Sequence, residues 1–195
     1  MDKPRRLVLA STSPYRKALL ARLGLPFAVA APHVDEQPLR GEAPPDTALR
    51  LAGLKAQAVR HAHRDSLIIG SDQVATSEGR LLGKPGDHPS AVRQLRALSG
   101  KVAQFHTAVA LLDAASGQAQ ARIIPCRVQF RPLDDARIES YLKREQPYDC
   151  AGSAKVEGLG IALIARIDTE DPTSLIGLPL IALTEMLERA GLPVI

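Results

Sequence analysis

Aromatic residues make up only 3% of this 195-residue chain; tryptophan is absent and cysteine occurs twice. So few aromatics provide no platform on which the bases of single-stranded nucleic acid could stack. The lysines and arginines are scattered, without the basic run that a nucleic-acid binder concentrates. Cys126 and Cys150 are too few for a disulfide framework and form no C-x-x-C pair. A zinc site is not expected either, because His61 and His63 stand two apart and would point to different faces of a helix. No apolar run reaches the roughly 18 residues that suggest a membrane span. Behind Met1-Asp2-Lys3-Pro4-Arg5-Arg6 lie only four apolar residues, Leu7 to Ala10, too short for the core of a secretory signal. The expectation is a cytoplasmic protein with no membrane and no nucleic-acid partner. G-x-S-x-G, H-E-x-x-H and G-x-G-x-x-G are all missing, which removes the common hydrolase, zincin and dinucleotide-binding readings.

What is present is ordinary in bulk and particular in its loops. Apolar residues are 45% and charged residues 24% of the chain, the balance of a globular protein. The length suits one domain or two closely joined lobes. A net charge of +4 and a pI near 9.3 point to an anionic partner, and a small polyanion accounts for them as well as a polymer does.

Leu7 to Ala10 reads as a short buried strand. Ser13 caps a helix over Tyr15 to Leu23, with Pro14 in the first helical position and Gly24 as its stop. Phe27 to Ala30 is a second short strand, and the Pro-rich stretch from Pro32 to Pro45 is mostly loop. Asp46 is expected to cap a long helix to about His63, burying Leu49, Ala52, Ala56 and Val59. Leu67 to Gly70 predicts a strand that ends abruptly at Ser71-Asp72-Gln73, with a hairpin around Glu78-Gly79 beyond it. A helix from about Pro89 to Leu98 precedes two long strands, Val102 to Leu112 and Gln118 to Arg131. Asp134 caps a helix to Glu145, Gly160 to Ile167 is a strand, and Leu180 to Ala190 is the last helix. Hairpins set among βα units argue for an α/β fold with a mixed sheet.

Polar residues gather where the strands are expected to end. Ser11-Thr12-Ser13 before a helix N-terminus offers hydroxyls, N–H groups and the helix dipole to an anion. Arg16 and Lys17 oppose that dipole, and a nearby phosphate would explain them. Glu36, in Val34-Asp35-Glu36, and Asp72 supply carboxylates of the kind that Mg²⁺ or Mn²⁺ takes, with water and phosphate as its other ligands. Asp72 follows the most apolar strand in the chain, a rigid place from which to hold metal or orient a water. Gly83-Lys84-Pro85 is no Walker A loop, yet it can present Lys84 as a rigid point charge. Lys55, inside the long helix, reads on its own as a surface lysine.

Taken together, these segments resemble the Maf family of nucleotide pyrophosphatases. The matching pieces are LASTSPYRKALL at Leu9 to Leu20, VDE at Val34 to Glu36, LKA at Leu54 to Ala56 and IIGSDQV at Ile68 to Val74. GKP at Gly83 to Pro85, SG at Ser99-Gly100, CAGSAKVEGLG at Cys150 to Gly160 and GLPL at Gly177 to Leu180 complete a match in order along the chain. The resemblance implies a single Maf-like domain over residues 1–195, with a mixed sheet, helices on both sides and two lobes flanking a cleft. It also implies a divalent metal (Mg²⁺ or Mn²⁺), often a homodimer, and hydrolysis of a nucleoside triphosphate to monophosphate and diphosphate. By the same resemblance Ser11, Arg16, Lys55 and Lys84 hold the triphosphate. Glu36 and Asp72 hold the metal, and Asp72 accepts the proton.

Tyr15, where the branch acting on dTTP and UTP carries arginine, together with Gln73 and Glu157, resembles the branch acting on 7-methyl-GTP. Chemistry agrees: N7 methylation makes guanine cationic, and an aromatic face attracts cations by roughly 0.5–2 kcal/mol. Glu157 could accept from guanine N1–H and N2–H₂. A dTTP/UTP or broader pyrophosphatase, and a nucleotide-binding regulator of cell division without turnover, are the alternatives.

Overall fold

The computed structural model describes residues 5–195, so Met1 to Pro4 lie outside the described residues. In chain order the elements are β1 Arg6–Ala10, α1 Pro14–Ala21, β2 Phe27–Ala30, α2 Pro44–Ala58, β3 Ser66–Ser77 and β4 Arg80–Leu81. They continue with α3 His88–Leu98, β5 Val102–Asp113, β6 Ala119–Phe130, α4 Asp135–Glu145, β7 Ile164–Thr169 and α5 Leu180–Arg189. The strands form one sheet in the order β2-β1-β3-β5-β6-β7, with β4 paired to β3. β1 runs parallel to β2 and β3, whereas β4 is antiparallel to β3 and β7 to β6. The mixed α/β sheet expected from the sequence is the one observed.

The chain gathers into two compact units. The first comprises the chain to Gln73 with Thr107–Ile124 and Asp171–Ile195; the second comprises Val74–His106 and Pro125–Glu170. In the first unit the period-2 alternation of strand side chains sorts the core into two layers. Leu7, Leu9, Leu67 and Ile69 pack with Leu19 and Leu20 of α1 and with Leu183, Met186 and Leu187 of α5. Val8, Ala10 and Ile68, pointing the other way, pack with Ala56 and Val59 at the end of α2. Helices therefore cover both faces. Gly70 sets the spacing on the α2 side: a Cβ there would lie 2.0 Å from Ala52 O and 2.9 Å from Ala56 N. Only a residue without a side chain lets helix and strand backbones meet so closely.

In the second unit, α3 and α4 each bury one stripe: Ala91, Val92, Leu95 and Leu98 on one, Ile138, Tyr141 and Leu142 on the other. Asp87 and Asp134 cap them by accepting from Ser90 N and Arg137 N. On β6, Cys126, Val128 and Phe130 are buried, as their alternation predicted. The hairpin is also as expected: Glu78 and Gly79 both have positive φ, as a type I′ turn requires.

Several expectations need correction. The strand through Leu67 to Gly70 does not stop at Ser71-Asp72-Gln73 but runs on to Ser77. Polar residues can continue a buried strand here because each has a partner: Ser71 and Gln73 hydrogen-bond neighbouring segments and Asp72 is ion-paired. Asp46 does not cap α2. The cap position is Ala43, and Pro44 follows it at the start of the helix, where its missing N–H needs no acceptor. That helix ends at Ala58 with a short 3₁₀ turn beyond, and Leu49 is 37% exposed; the buried stripe is Ala48, Leu51, Ala52, Lys55 and Ala56. Finally, Gly160 to Leu163 are in a 3₁₀ turn and β7 begins only at Ile164. Gly160 N donates to Lys155 O, folding the backbone back before the strand can start.

Glu42 ties the long loop to α2. Its carboxylate takes Nε and Nη2 of Arg50 at 2.6 and 2.8 Å, Thr47 Oγ1 at 2.9 Å and Leu39 N at 3.0 Å. The Arg50 guanidinium, aided by the Leu39 N–H, holds the Glu42 carboxyl down at about 2 against an ordinary 4.5. A carboxyl with a depressed folded pKa contributes stability that is present above its unfolded pKa and lost as pH falls through the folded one. Glu42→Gln should therefore make the loss of stability between pH 4.5 and 2 shallower, read as urea midpoints across that range. Midpoints that fall as steeply as the parent's would count against the role.

Candidate active site

Three segments of the first unit converge on one ammonium group. β3 brings Asp72, α2 brings Lys55, and the loop between β2 and α2 brings Glu36. Lys55 Nζ lies 2.6 Å from Asp72 Oδ1 and 2.8 Å from Glu36 Oε1. Lys55 is only 4% exposed, on the stripe of α2 that packs against the sheet. A lysine is almost never buried without a counter-charge, because desolvating the ammonium costs several kcal/mol. Here two carboxylates supply it. Asp72 is equally enclosed, whereas the Glu36 side chain is 60% exposed, so the cluster opens to solvent on that side. Glu36 is held in reach by its loop: Gln37 N donates to Asp35 Oδ1, and Arg50 Nη2 to Gln37 O.

The turn between β1 and α1 lies close in charge to the same cluster. Ser13 caps α1 by accepting from Arg16 N, with Pro14 in the first helical position, as expected. Ser11 is buried, and its Oγ accepts from Ser13 N at 3.1 Å. Arg16 turns away from its helix, and its Nε donates to Gly177 O at 2.8 Å. That bond explains a basic residue in a first turn that lacks acidic ones. Burial pushes the Arg16 guanidinium below its ordinary range, while the carboxylates of Asp72 and Glu36 pull it back up. Tyr15 is half-buried in the same turn of helix, and Lys17 is exposed.

Of the residues singled out from sequence, the structure thus brings together Glu36, Lys55 and Asp72, with Arg16 in their field. Gln73 follows Asp72 along β3 and is tied to Thr107 and to the segment before α5. Lys84 and Glu157 belong to the second unit, and both are exposed. The Lys84 turn is held by Gln94 Nε2 donating to Gly83 O and by Gly86 N donating to Tyr148 O. The Glu157 loop is held by Glu145, which accepts from Leu159 N at 2.7 Å and pairs with Lys155 at 3.1 Å.

The donor set suits a hard divalent cation. Two carboxylates already share one positive charge, and among the described residues no three His, Cys, Asp or Glu gather to cage a metal, here or elsewhere. Mg²⁺ and Mn²⁺ match a site of one or two carboxylates completed by water and phosphate oxygens.

Some residues that build the site were not singled out from sequence. Gly70 allows α2 to approach, Glu42 and Arg50 pin the loop, and Thr107 and Gly177 supply hydrogen-bond partners. Thr107 did carry a signal, as a lone hydroxyl ahead of the apolar run Ala108 to Leu112. The others are recognisable only by what they touch.

A family model described as "Maf-like protein" matches residues 6–190. A 7-methyl-GTP pyrophosphatase of Thiobacillus denitrificans is 60% identical over 97% of this chain and 94% of its own length. Proteins of the same name from Cupriavidus pinatubonensis and Paraburkholderia xenovorans are 57% and 56% identical, over 96% and 100% of this chain and 94% and 97% of their own. Among solved structures, a nucleoside-triphosphatase (dITP/XTP pyrophosphatase) of Mycobacterium abscessus aligns at 18% identity and a TM-score of 0.41, over 72% of this chain and 95% of its own. A likeness that loose carries no functional argument.

Removing the ammonium should expose the cost of the buried carboxylate. Lys55→Met is expected to destabilise the protein by on the order of 3 kcal/mol, since it leaves Asp72 buried without its counter-ion. Lys55→Met combined with Asp72→Leu should recover most of that loss in urea unfolding. A single variant as stable as the parent would show that the pair imposes no such constraint.

Proposed function

This chain belongs to the Maf family, and on that premise we propose that it hydrolyses 7-methyl-GTP to 7-methyl-GMP and diphosphate. The observation that carries the reading is the buried Lys55 ammonium between Glu36 and Asp72, with Arg16 beside them. Cations for a polyphosphate and carboxylates for a metal stand together there. The names of the relatives support the choice of reaction and of base.

In this proposal Ser11, Arg16 and Lys55 hold the triphosphate, and Glu36 and Asp72 hold Mg²⁺ or Mn²⁺. The ion, when bound, neutralises charge on the phosphate oxygens. Asp72 orients a water and accepts its proton as the water oxygen bonds to the α-phosphorus. The α–β anhydride bond breaks, and diphosphate leaves with the electron pair. Tyr15 stacks on the methylated base, whose positive charge favours an aromatic face. The family resemblance assigns Lys84 to a phosphate and Glu157 to guanine N1–H and N2–H₂. A homodimer and a cytoplasmic location accompany the reading. Among the described residues, no helix is long and apolar enough to cross a membrane.

A nucleotide-binding regulator without turnover is the weaker reading, because a pure anion binder gains nothing from two carboxylates on its buried lysine. The test is diphosphate release from 7-methyl-GTP, GTP, UTP and dTTP with Mg²⁺ or Mn²⁺. Turnover of the methylated nucleotide well above UTP is expected; no turnover of any would sink the enzyme reading, and equal rates would sink only the choice of base. Asp72→Asn should lower kcat by at least about 100-fold while nucleotide binding persists; near-normal kcat would remove Asp72 from its role. Tyr15→Ala should narrow the preference for 7-methyl-GTP over GTP by several-fold, the loss of a cation–π contact. An unchanged ratio would refute stacking.

A further inference from the structure

The carboxylate of Glu145 stands where helix electrostatics do not favour one. Glu145 is the last residue of α4, at the negative end of the helix dipole, where basic side chains such as Lys143 and Arg144 are the favourable ones. Both of its oxygens are engaged by one short turn, residues 155–160. Oε2 accepts from Leu159 N at 2.7 Å, and Oε1 pairs with Lys155 Nζ at 3.1 Å. The Leu159 N–H holds the Glu145 carboxyl below its ordinary range; desolvation opposes this and Lys155 adds to it. One helical turn earlier, the buried Tyr141 accepts from Lys155 N through its hydroxyl at 3.0 Å. Residues four apart share a helix face, so α4 turns one polar edge to this segment.

The turn also closes on itself. Lys155 O accepts from Gly158 N at 3.1 Å and from Gly160 N at 3.0 Å. Two glycines admit this close approach: a Cβ on Gly158 would lie 2.6 Å from Glu145 Oε2, and one on Gly160 2.5 Å from Lys155 O. Helix α4 therefore ties the turn at Lys155 and at Leu159, on either side of its tip. That tip is Val156-Glu157, and Glu157 is exposed. A partly exposed ion pair adds little to stability, so the main consequence of these bonds is geometric.

We propose that Glu145 and Tyr141 are positioning residues for base recognition: by anchoring Lys155 and Leu159 on either side of the tip, they fix where the Glu157 carboxylate is presented. This rests on the proposed pyrophosphatase activity, in which Glu157 accepts from guanine N1–H and N2–H₂. Two parallel contacts to a planar edge tolerate little displacement, so a turn tied at two points suits them better than a free loop tip. Loosening the turn should weaken guanine nucleotides and spare the recognition of phosphate.

The test compares 7-methyl-GTP, GTP and UTP in steady-state turnover, and tripolyphosphate, which has no base, by calorimetry. Glu145→Ala should lower kcat/KM for both guanine nucleotides about tenfold relative to UTP, mainly through KM. Tripolyphosphate affinity and the ratio of 7-methyl-GTP to GTP should hold, since neither depends on Glu157. Tyr141→Phe, which removes one acceptor and keeps the ring, should do the same more weakly, and it stands in if Glu145→Ala fails to fold. In a Glu157→Ala background, Glu145→Ala should change the guanine-to-UTP ratio by less than about twofold, a non-additivity that general destabilisation would not produce. Full additivity, or tripolyphosphate affinity falling in step with GTP, would overturn the inference and leave the enzyme reading intact. So would a guanine-to-UTP ratio that Glu157→Ala shifts and Glu145→Ala does not. If Glu157→Ala leaves that ratio unchanged, its assignment to the base falls and the inference falls with it. A parent protein that hydrolyses no nucleotide would defeat the inference and the proposed activity together.

Discussion

A lysine ammonium buried under a helix must find negative charge, and much of the first unit is arranged around that requirement. Lys55 Nζ reaches Asp72 on a central strand and Glu36 on a loop, so one electrostatic demand couples three segments distant in sequence. The cost of leaving either buried charge, Lys55 or Asp72, unpaired is several kcal/mol, comparable with a large part of a domain's net stability. In the proposed reaction the same cluster would hold phosphate and metal, so that stability and function would draw on one set of charges.

Two further features make the arrangement possible. Gly70 removes the side chain that would separate α2 from β3, so the helix backbone lies against the strand two residues before Asp72. The Glu42–Arg50 pair fastens the loop onto the helix and keeps Glu36 in reach. Arg16 joins from α1, held by Gly177 O rather than by the carboxylates themselves. Its charge is felt by Asp72 and Glu36, while its direction comes from elsewhere. Attraction gathers the groups, and a hydrogen bond to a backbone carbonyl fixes Arg16.

The β3 strand shows how a polar triplet can be misjudged. Ser71-Asp72-Gln73 after four apolar residues has the look of a turn, because unpartnered polar groups are not buried. Each is partnered by a residue remote in sequence, at Ala108 and Gly177, at Lys55 and at Thr107, so the strand continues. The Leu49 error has the same origin. Periodicity chose a stripe of apolar residues, whereas the buried stripe includes a lysine whose charge is neutralised by the tertiary fold.

Local chemistry alone determined a good deal. Ser13 and Pro14 start α1, Asp134 starts α4, Glu78-Gly79 turns the hairpin, and the alternation on β6 assigns its two faces, all through interactions within a few residues. The mixed sheet followed from the order of such elements. The residues by themselves pointed to candidate phosphate-binding and carboxylate-bearing segments, and the resemblance to a family joined them into one expected reaction. What only the tertiary structure decided is which of those groups meet. Lys55, a surface lysine when taken alone, is buried against Asp72 and Glu36 where Gly70 admits its helix, and the Gln73 NH₂ group faces Thr107 and Ser174. Burial and partnership of a charge are set by residues far along the chain, and a linear pattern does not carry that information.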